Sequence, residues 1–424
     1  MANIWMLGSY IPALSDSSSR ANRHHQFARA LIAKGHVVTM FTSEVDRWEG
    51  EVFGRLGSEP YRDEIDGDLT IRMLPGRPYS SDRQRLLSML HFERTVLKNT
   101  DDLPRPDLVL GATVPPFTAH AAQILAGRYR VPFVLELGDV WPATLVDMGA
   151  LTKWHPAYWL LRLLEIRLYR KAARVVSYLP FAKIQVAASY ADPGKVVWVP
   201  SAVALGPYVA DDYPPAPPSR EEFVVVYAGG LTPVYGLQHI VEAAALLAEQ
   251  HPDLPITFRL VGSGNARSDL VESVNRLGLS NVEFGDPVPR DQVPAILADA
   301  DVCIASMRDL PVVRKYGMSN TKVYEYLAAA RPIIFSLGSA NDPVAEAGAG
   351  ISVPPESPQA IANAVVALYR MTREERIELG RRGQDFARNG YHIGAIGDRF
   401  TRVIDEVLEG AEPGSRVHPD DVRG

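Results

Sequence analysis

The sequence predicts an α/β fold of two doubly wound domains, each a parallel sheet covered by helices. Three observations predict it. Short apolar runs alternate with helix-patterned segments in both halves of the chain. A proline-rich stretch without apolar rhythm separates the halves. Finally, 424 residues exceed one ordinary core, so two domains of roughly 150–200 residues are expected.

In the first half, Ile4–Gly8 reads as a strand and Ser15–Ser19 as a polar loop. Asn22–Lys34 follows as a helix closed by Gly35. His36–Thr42, Thr70–Leu74, Leu108–Leu110, Phe133–Leu137, Arg174–Tyr178 and Val196–Val199 continue the strands. Helices near Gln84–Lys98 and Thr118–Arg128 lie among them. Between Leu205 and Glu222 the run LGPYVADDYPPAPPSREE reads as a stiff connection.

The alternation then restarts. Phe223–Tyr227 is a strand ending in Gly229-Gly230, and a helix runs from Leu237 to Glu249. Thr257–Val261 ends in Gly262-Ser263-Gly264, before a helix over Ser268–Leu277. Val282–Phe284, Val302–Ala305 and Ile333–Phe335 add strands, and Ala360–Met371 is a late helix. The expected domains are residues 1–205 and 206–395, with a helix at 396–410 returning to the first domain and a disordered tail at 411–424. Doubly wound domains facing each other make a cleft, and ligands sit at the carboxyl ends of their strands.

Composition narrows the function classes. A hydrophobic share of 46% and a charged share of 22% are those of a soluble globular protein. A formal net charge of −6 supplies no overall basic field, so nucleic acid is not an expected partner. Cys303 is the one cysteine and reads as a buried structural thiol. Neither a leader nor a membrane span is expected, which fits a cytoplasmic enzyme. No His/Cys/Asp cluster has metal-ligand spacing, so no metal is expected.

The most informative stretch is RKYGMSNTKVYEYLAAARPIIFS, from Arg314 to Ser336. Ser319 and Asn320 are cap residues, Thr321–Ala330 is helical, and Pro332 stops it. Val323, Tyr324, Leu327 and Ala328 form the apolar stripe; Lys322, Glu325, Tyr326 and Ala329 fall on the other face. A helix entered from such a turn offers free backbone N–H groups to an anion. Lys322 in the first turn opposes the usual acidic preference. A bound anion explains it, and so does a Lys322–Glu325 pair on a solvated face.

Four ordered segments carry a family resemblance: Val226–Ala244, Phe258–Leu270, Asn281–Met307 and Ser319–Phe335. Together they resemble the donor domain of the family 4 glycosyltransferases, retaining enzymes of the GT-B fold that use nucleotide-sugar donors. Asn22–Ser43 and Pro132–Pro142 resemble the branch that builds bacterial polysaccharides and related glycosides. The resemblance implies a nucleotide-diphosphate sugar donor and a hydroxyl acceptor, either a glycan intermediate or a small metabolite. It implies no further cofactor.

The family signature is two glutamates separated by seven residues. Glu325 matches the second, which would accept hydrogen bonds from the donor ribose; the first position holds Gly317. The family's Arg and Lys near the diphosphate fall in Gly230–Gly236, where this chain has Gly230 and Tyr235. Two phosphate charges still need donors. Lys322 is the leading replacement, with Arg308, Arg314 and Lys315 in reserve. Ser319, Asn320 and the helix start would complete the diphosphate site. Gly230, Gly262 and Gly264 would line the donor site at strand ends, and the base would lie along Gly285–Val288.

On the acceptor side, the resemblance places Asp139 after Phe133–Leu137, where it would accept or orient the acceptor's hydroxyl proton. The alternative is a capping Asp in a turn before Pro142. Trp141 can stack on a sugar ring or fill a core. Arg23, with His24 and His25, can meet an acceptor phosphate, although solvated side chains are the expected reading there. Tyr158–Val176 is amphipathic and basic. It can rest on an anionic membrane, but an ordinary packed helix with basic residues outward is expected. Two other functions share the architecture: a nucleotide-sugar 2-epimerase, and a non-catalytic subunit that binds nucleotide or sugar.

Overall fold

The computed structural model describes residues 1–15, 22–46, 50–209, 214 and 220–410. The rest of the expected loop at 15–19, half of the proline-rich connection and the expected tail lie outside these residues. The chain divides into two compact units, Met1–Pro200 with Gly394–Gly424, and Ser201–Ile393.

The first unit is built on eight strands. They are β1 (Asn3–Leu7), β2 (Val37–Ser43), β3 (Arg62–Asp66), β4 (Leu69–Leu74), β5 (Leu108–Ala112), β6 (Phe133–Leu137), β7 (Arg174–Ser177) and β8 (Val196–Trp198). They stand in the order β3-β4-β2-β1-β5-β6-β7-β8. Only β3 is antiparallel, folded back on β4. β1, β5 and β6 are wholly or almost wholly buried, as strands covered on both faces must be. β3 escapes the sequence reading because its residues, RDEID, carry no apolar alternation at an exposed edge.

The last helix, Ile393–Leu408, belongs with this unit from Gly394 onward. Phe400 stacks on Phe27 with ring centroids 3.9 Å apart, and Asp405 meets His36 at 3.0 Å. Those contacts seat it against the helix Arg23–Ala33 and the loop that closes it.

The second unit carries β9 (Phe223–Ala228), β10 (Ile256–Val261), β11 (Val282–Gly285), β12 (Val302–Ser306), β13 (Ile333–Ser336) and β14 (Gly350–Val353). Their order is β11-β10-β9-β12-β13-β14, and every pairing is parallel. Numbered within the unit this is 3-2-1-4-5-6, whose topological switch lies between β9 and β12. Loops leaving the carboxyl ends of those two strands, at Gly229 and Arg308, are therefore the expected ligand loops. Ser201 is tied into this unit, because its N–H donates to Ser319 Oγ at 2.7 Å and its Oγ to Ser319 O at 3.1 Å. Cys303 is fully buried in β12, and burial pushes its thiol up to about 12.

Candidate functional site

The helix Thr321–Ala328 begins where its residues say it should. Asn320 caps it by accepting from the Lys322 N–H at 3.3 Å. At its other end the buried Arg331 guanidinium donates to the carbonyls of Ala329, Ala330 and Ala298. The faces differ from the expected ones. Tyr326 is completely buried, and its hydroxyl both accepts from the Ala228 N–H at 2.8 Å and donates to Ala228 O at 2.9 Å. The face that reads as polar is therefore pinned to the end of β9. Lys322, one turn earlier on that face, is carried to the same strand end.

Lys322 is only 7% exposed, which excludes the solvated Lys322–Glu325 pair. Its Nζ donates to Tyr227 Oη and lies over the Tyr235 ring, 3.4 Å from the centroid. The Tyr227 hydroxyl passes its own proton toward Gly230 O at 2.8 Å. Burial disfavours the charged amine and Glu325 only partly restores it, so the Lys322 pKa falls to about 7. The amine thus stands against Tyr235, in the Gly230–Gly236 loop where the resemblance leads one to expect cations.

Glu325 faces a different partner. Its Oε1 accepts from Arg290 at 2.7 Å. Burial raises its pKa, while Arg290 and Lys322 oppose the rise. Arg290 opens the short 3-10 turn Arg290–Gln292 after β11, which has no periodicity to single it out. Tyr227 reads from sequence only as the end of a buried strand.

The surrounding glycines are required by close backbone approach. Gly262 has φ +144, and a Cβ there would lie 1.9 Å from Gly229 O. Gly229 has φ +153, and its absent Cβ leaves room for Lys322 Nζ. Gly262→Ala is expected to destabilise the unit by at least about 1–3 kcal/mol, the cost of a side chain in that backbone region. An unchanged urea midpoint in this variant would contradict the assignment.

The remaining second-unit candidates are more dispersed. Ser319 is held by Ser201, as described above. Val288 lies half-buried in the loop beyond β11. Arg308 follows β12; its backbone N–H donates to Val234 O at 2.9 Å, and its side chain is partly exposed, 3.9 Å from Glu356. It is a second cation beside the Gly230–Gly236 loop. Arg314 pairs with Asp309 at 2.9 Å, and Lys315 lies over Tyr316.

In the first unit, Arg23, His24 and His25 are not solvated, contrary to expectation. Arg23 reaches Glu136 at 3.0 Å and donates to the carbonyls of Val199 and Pro200, with its guanidinium over Tyr178. His24 Nε2 lies 2.7 Å from the other Glu136 oxygen, and the buried His25 meets Pro12 O at 2.8 Å. Glu136 is fully buried, which favours its neutral form. The neighbouring His24 and Arg23 outweigh that and hold it well below the usual carboxylate range.

Asp139 follows β6. Its carboxylate accepts from the Val140 N–H at 2.7 Å, from Thr144 Oγ1 at 2.5 Å and from Trp141 Nε1 at 3.2 Å. The turn thereby fixes the indole. Among the described residues no cluster of three or more His, Cys, Asp or Glu could hold a metal ion.

The helix Pro156–Lys171 also departs from expectation. Arg162 turns inward to Glu165 and Ser189, and Arg174 is buried. The outward residues include Trp159, Leu160 and Leu163.

Comparison with known proteins agrees with this architecture. Residues 21–202 match the family profile described as glycosyl transferase 4-like domain, and residues 222–371 match glycosyl transferases group 1. The chain is 25% identical to the D-inositol 3-phosphate glycosyltransferase of Jonesia denitrificans over 379 residues, 84% of each protein. It is also 25% identical over 282 residues to the probable glycosyltransferase WbjE of Pseudomonas aeruginosa, covering 63% of this chain and 68% of that one. Among solved structures, an α,α-trehalose-phosphate synthase from Burkholderia vietnamiensis superposes with TM-score 0.73 at 17% identity, covering 98% of this chain and 99% of that one. Anabaena HepE in complex with UDP and glucose superposes with TM-score 0.63 at 15% identity, covering 96% and 100%. The chain belongs to the family 4 glycosyltransferases and has their GT-B fold.

Proposed function

We propose that this protein is a retaining glycosyltransferase that moves a sugar from a nucleotide-diphosphate sugar to a hydroxyl acceptor. The donor binds the second unit. The observation that carries this is Lys322, a buried amine held by Tyr227 and Tyr235 at a glycine-lined strand end beside the topological switch. A buried amine without a carboxylate bonded to it suits an anionic ligand that arrives from solution. The UDP and glucose named for the HepE structure support the donor class.

In this reading Lys322, the N–H groups at the helix start and Arg308 meet the diphosphate. The free valence of the Glu325 carboxylate takes the ribose, and the base lies along Gly285–Val288. As the sugar C1–O bond breaks, charge grows on the departing diphosphate, where a preorganised cation counts most. The acceptor oxygen bonds to C1 on the face the diphosphate leaves, and its proton passes to a departing phosphate oxygen. The protein's part is positioning and charge stabilisation.

A thermal-shift screen of nucleoside diphosphates and their sugars tests the donor class. A ligand at 100 times its Kd adds about 2.7 kcal/mol of stability. Stabilisation by one diphosphate series supports the reading, and indifference to all of them contradicts it.

On the first unit, Asp139 with Trp141 is the proposed acceptor turn. Asp139→Asn places an amide against the Trp141 N–H and removes the charge. We expect lower turnover, altered indole fluorescence and unchanged nucleotide affinity. Normal turnover would leave Asp139 as a turn cap alone.

A further inference from the structure

Exposed apolar side chains are concentrated in one stretch of the first unit. Among the described residues thirteen large apolar side chains are exposed, and seven of them lie between Met148 and Tyr190. Trp154 is 93% exposed, Trp159 59%, Leu160 68% and Leu163 63%. Trp159 and Leu163 are one helical turn apart, with Leu160 beside them, so they share a face of Pro156–Lys171. The same face continues into Arg167, Arg170 and Lys171, all exposed. Ile184 and Tyr190 lie in the neighbouring segment, which is joined to this helix by Arg162 to Ser189 and Gln185 to Glu165.

Charge in this stretch is equally one-sided. Residues 149–190 hold seven Lys and Arg against a single acid, Glu165, which is buried and bonded to Arg162, Tyr169 and Gln185. The chain as a whole has 44 basic and 50 acidic residues, so the remainder has 37 against 49. Five of the seven basic residues, Lys153, Arg167, Arg170, Lys171 and Lys183, are exposed, while Arg162 is paired inward with Glu165 and Arg174 is buried, so a surface patch of net +5 sits on a chain of net −6. That asymmetry distinguishes the possible occupants. A second copy meeting the patch across a two-fold axis would set like charge against like charge. An anionic lipid surface complements it, and tryptophan, tyrosine and leucine beside lysine and arginine are the side chains that settle at the headgroup level.

We propose that the first unit docks on an anionic bilayer through this face, with Trp154, Trp159, Leu160 and Leu163 entering the headgroup boundary and Arg170, Lys171 and Lys183 meeting anionic headgroups. The contact is peripheral: among the described residues no helix is long and apolar enough to cross a membrane. Helix Pro156–Lys171 follows β6 and leads back to the parallel strand β7, so its first turn starts at the end of the sheet from which the Asp139–Pro142 turn leaves, and docking there would bring that turn toward a membrane-borne acceptor.

Co-sedimentation with vesicles tests this without any substrate. The wild-type protein is expected to pellet with phosphatidylcholine vesicles containing phosphatidylglycerol, less so as salt rises, and weakly with phosphatidylcholine alone. Trp159→Ser, Leu160→Ser and Leu163→Ser together should lower partitioning by at least ~10-fold. Arg170→Glu with Lys171→Glu should lower it by about 30-fold or more, since each basic residue near such a surface contributes about fivefold. These side chains are exposed, so thermal midpoints should stay near wild type. Failure of the wild type to pellet, equal pelleting with neutral vesicles, or undiminished pelleting of both variants would overturn the proposal. A dimer in sedimentation equilibrium that the triple serine variant dissolves, without lipid binding, would overturn it in favour of a second copy.

Discussion

Lys322→Met is expected to lower turnover by ~100-fold or more while leaving the fold intact, as when one preorganised charge-stabilising donor is lost. Methionine keeps an unbranched stem of similar reach and a high helix propensity. The variant should also be more stable than wild type at neutral pH. In the folded chain burial brings the amine down to about 7 from its ordinary 10.5. Between those values the unfolded chain binds more protons than the native one, so stability rises with pH across that window. The cost of burying the amine is full below about pH 7 and fades toward pH 10.5. Removing it should therefore add a few kcal/mol at pH 6 and little near pH 10. Urea titrations of both proteins at the two pH values check this. Equal stabilities at pH 6 would mean that the amine is solvated and carries no burial cost. A variant that transfers sugar at the wild-type rate would remove Lys322 from the diphosphate site.

Glu325→Ala is expected to weaken nucleotide binding by about 1.5–3 kcal/mol, roughly 10- to 150-fold, by removing a charged acceptor from the ribose. The fold should tolerate the change. Arg290, released from its 2.7 Å contact, is exposed enough to be solvated. Isothermal titration with UDP and GDP would show the loss, and an unchanged affinity in a folded variant would sink the ribose assignment. Turnover at saturating donor should fall less than affinity, because ribose contacts are alike in ground and transition states.

Both variants concern one helix, whose ends were easier to read than its orientation. Asn320 and Pro332 mark its limits through local chemistry, a side-chain cap and a missing N–H. Which face packs inward depends on a partner distant in sequence. Lys322 and Tyr326 look polar, yet Tyr326 closes two hydrogen bonds on Ala228, a residue 98 positions away. The tyrosines around Lys322 were hidden for the same reason. The parallel core strands were legible because burial on both faces makes them continuous apolar runs. β3 was not, being charged and antiparallel. The helix Arg373–Gly390 has little apolar rhythm, although Thr372 and Glu375 form the capping box that marks its start. In the first unit, Arg23 and His24 looked like solvated polar residues. Their burial follows from Glu136, which β6 places beneath them and whose charge needs partners.

Proton uptake on nucleotide binding tests the central claim, that Lys322 receives the diphosphate, more directly than turnover does. At pH 8 an amine with a pKa of about 7 is mostly neutral, and a neighbouring diphosphate would draw a proton back onto it. Calorimetric titration with UDP and with uridine, in two buffers of different ionisation enthalpy, measures that proton. The wild type should prefer UDP strongly and take up protons with UDP alone, and Lys322→Met should lose both the preference and the uptake. Retention of both by Lys322→Met, with their loss in Arg308→Met, would contradict the account and move the phosphate site to the loop after β12.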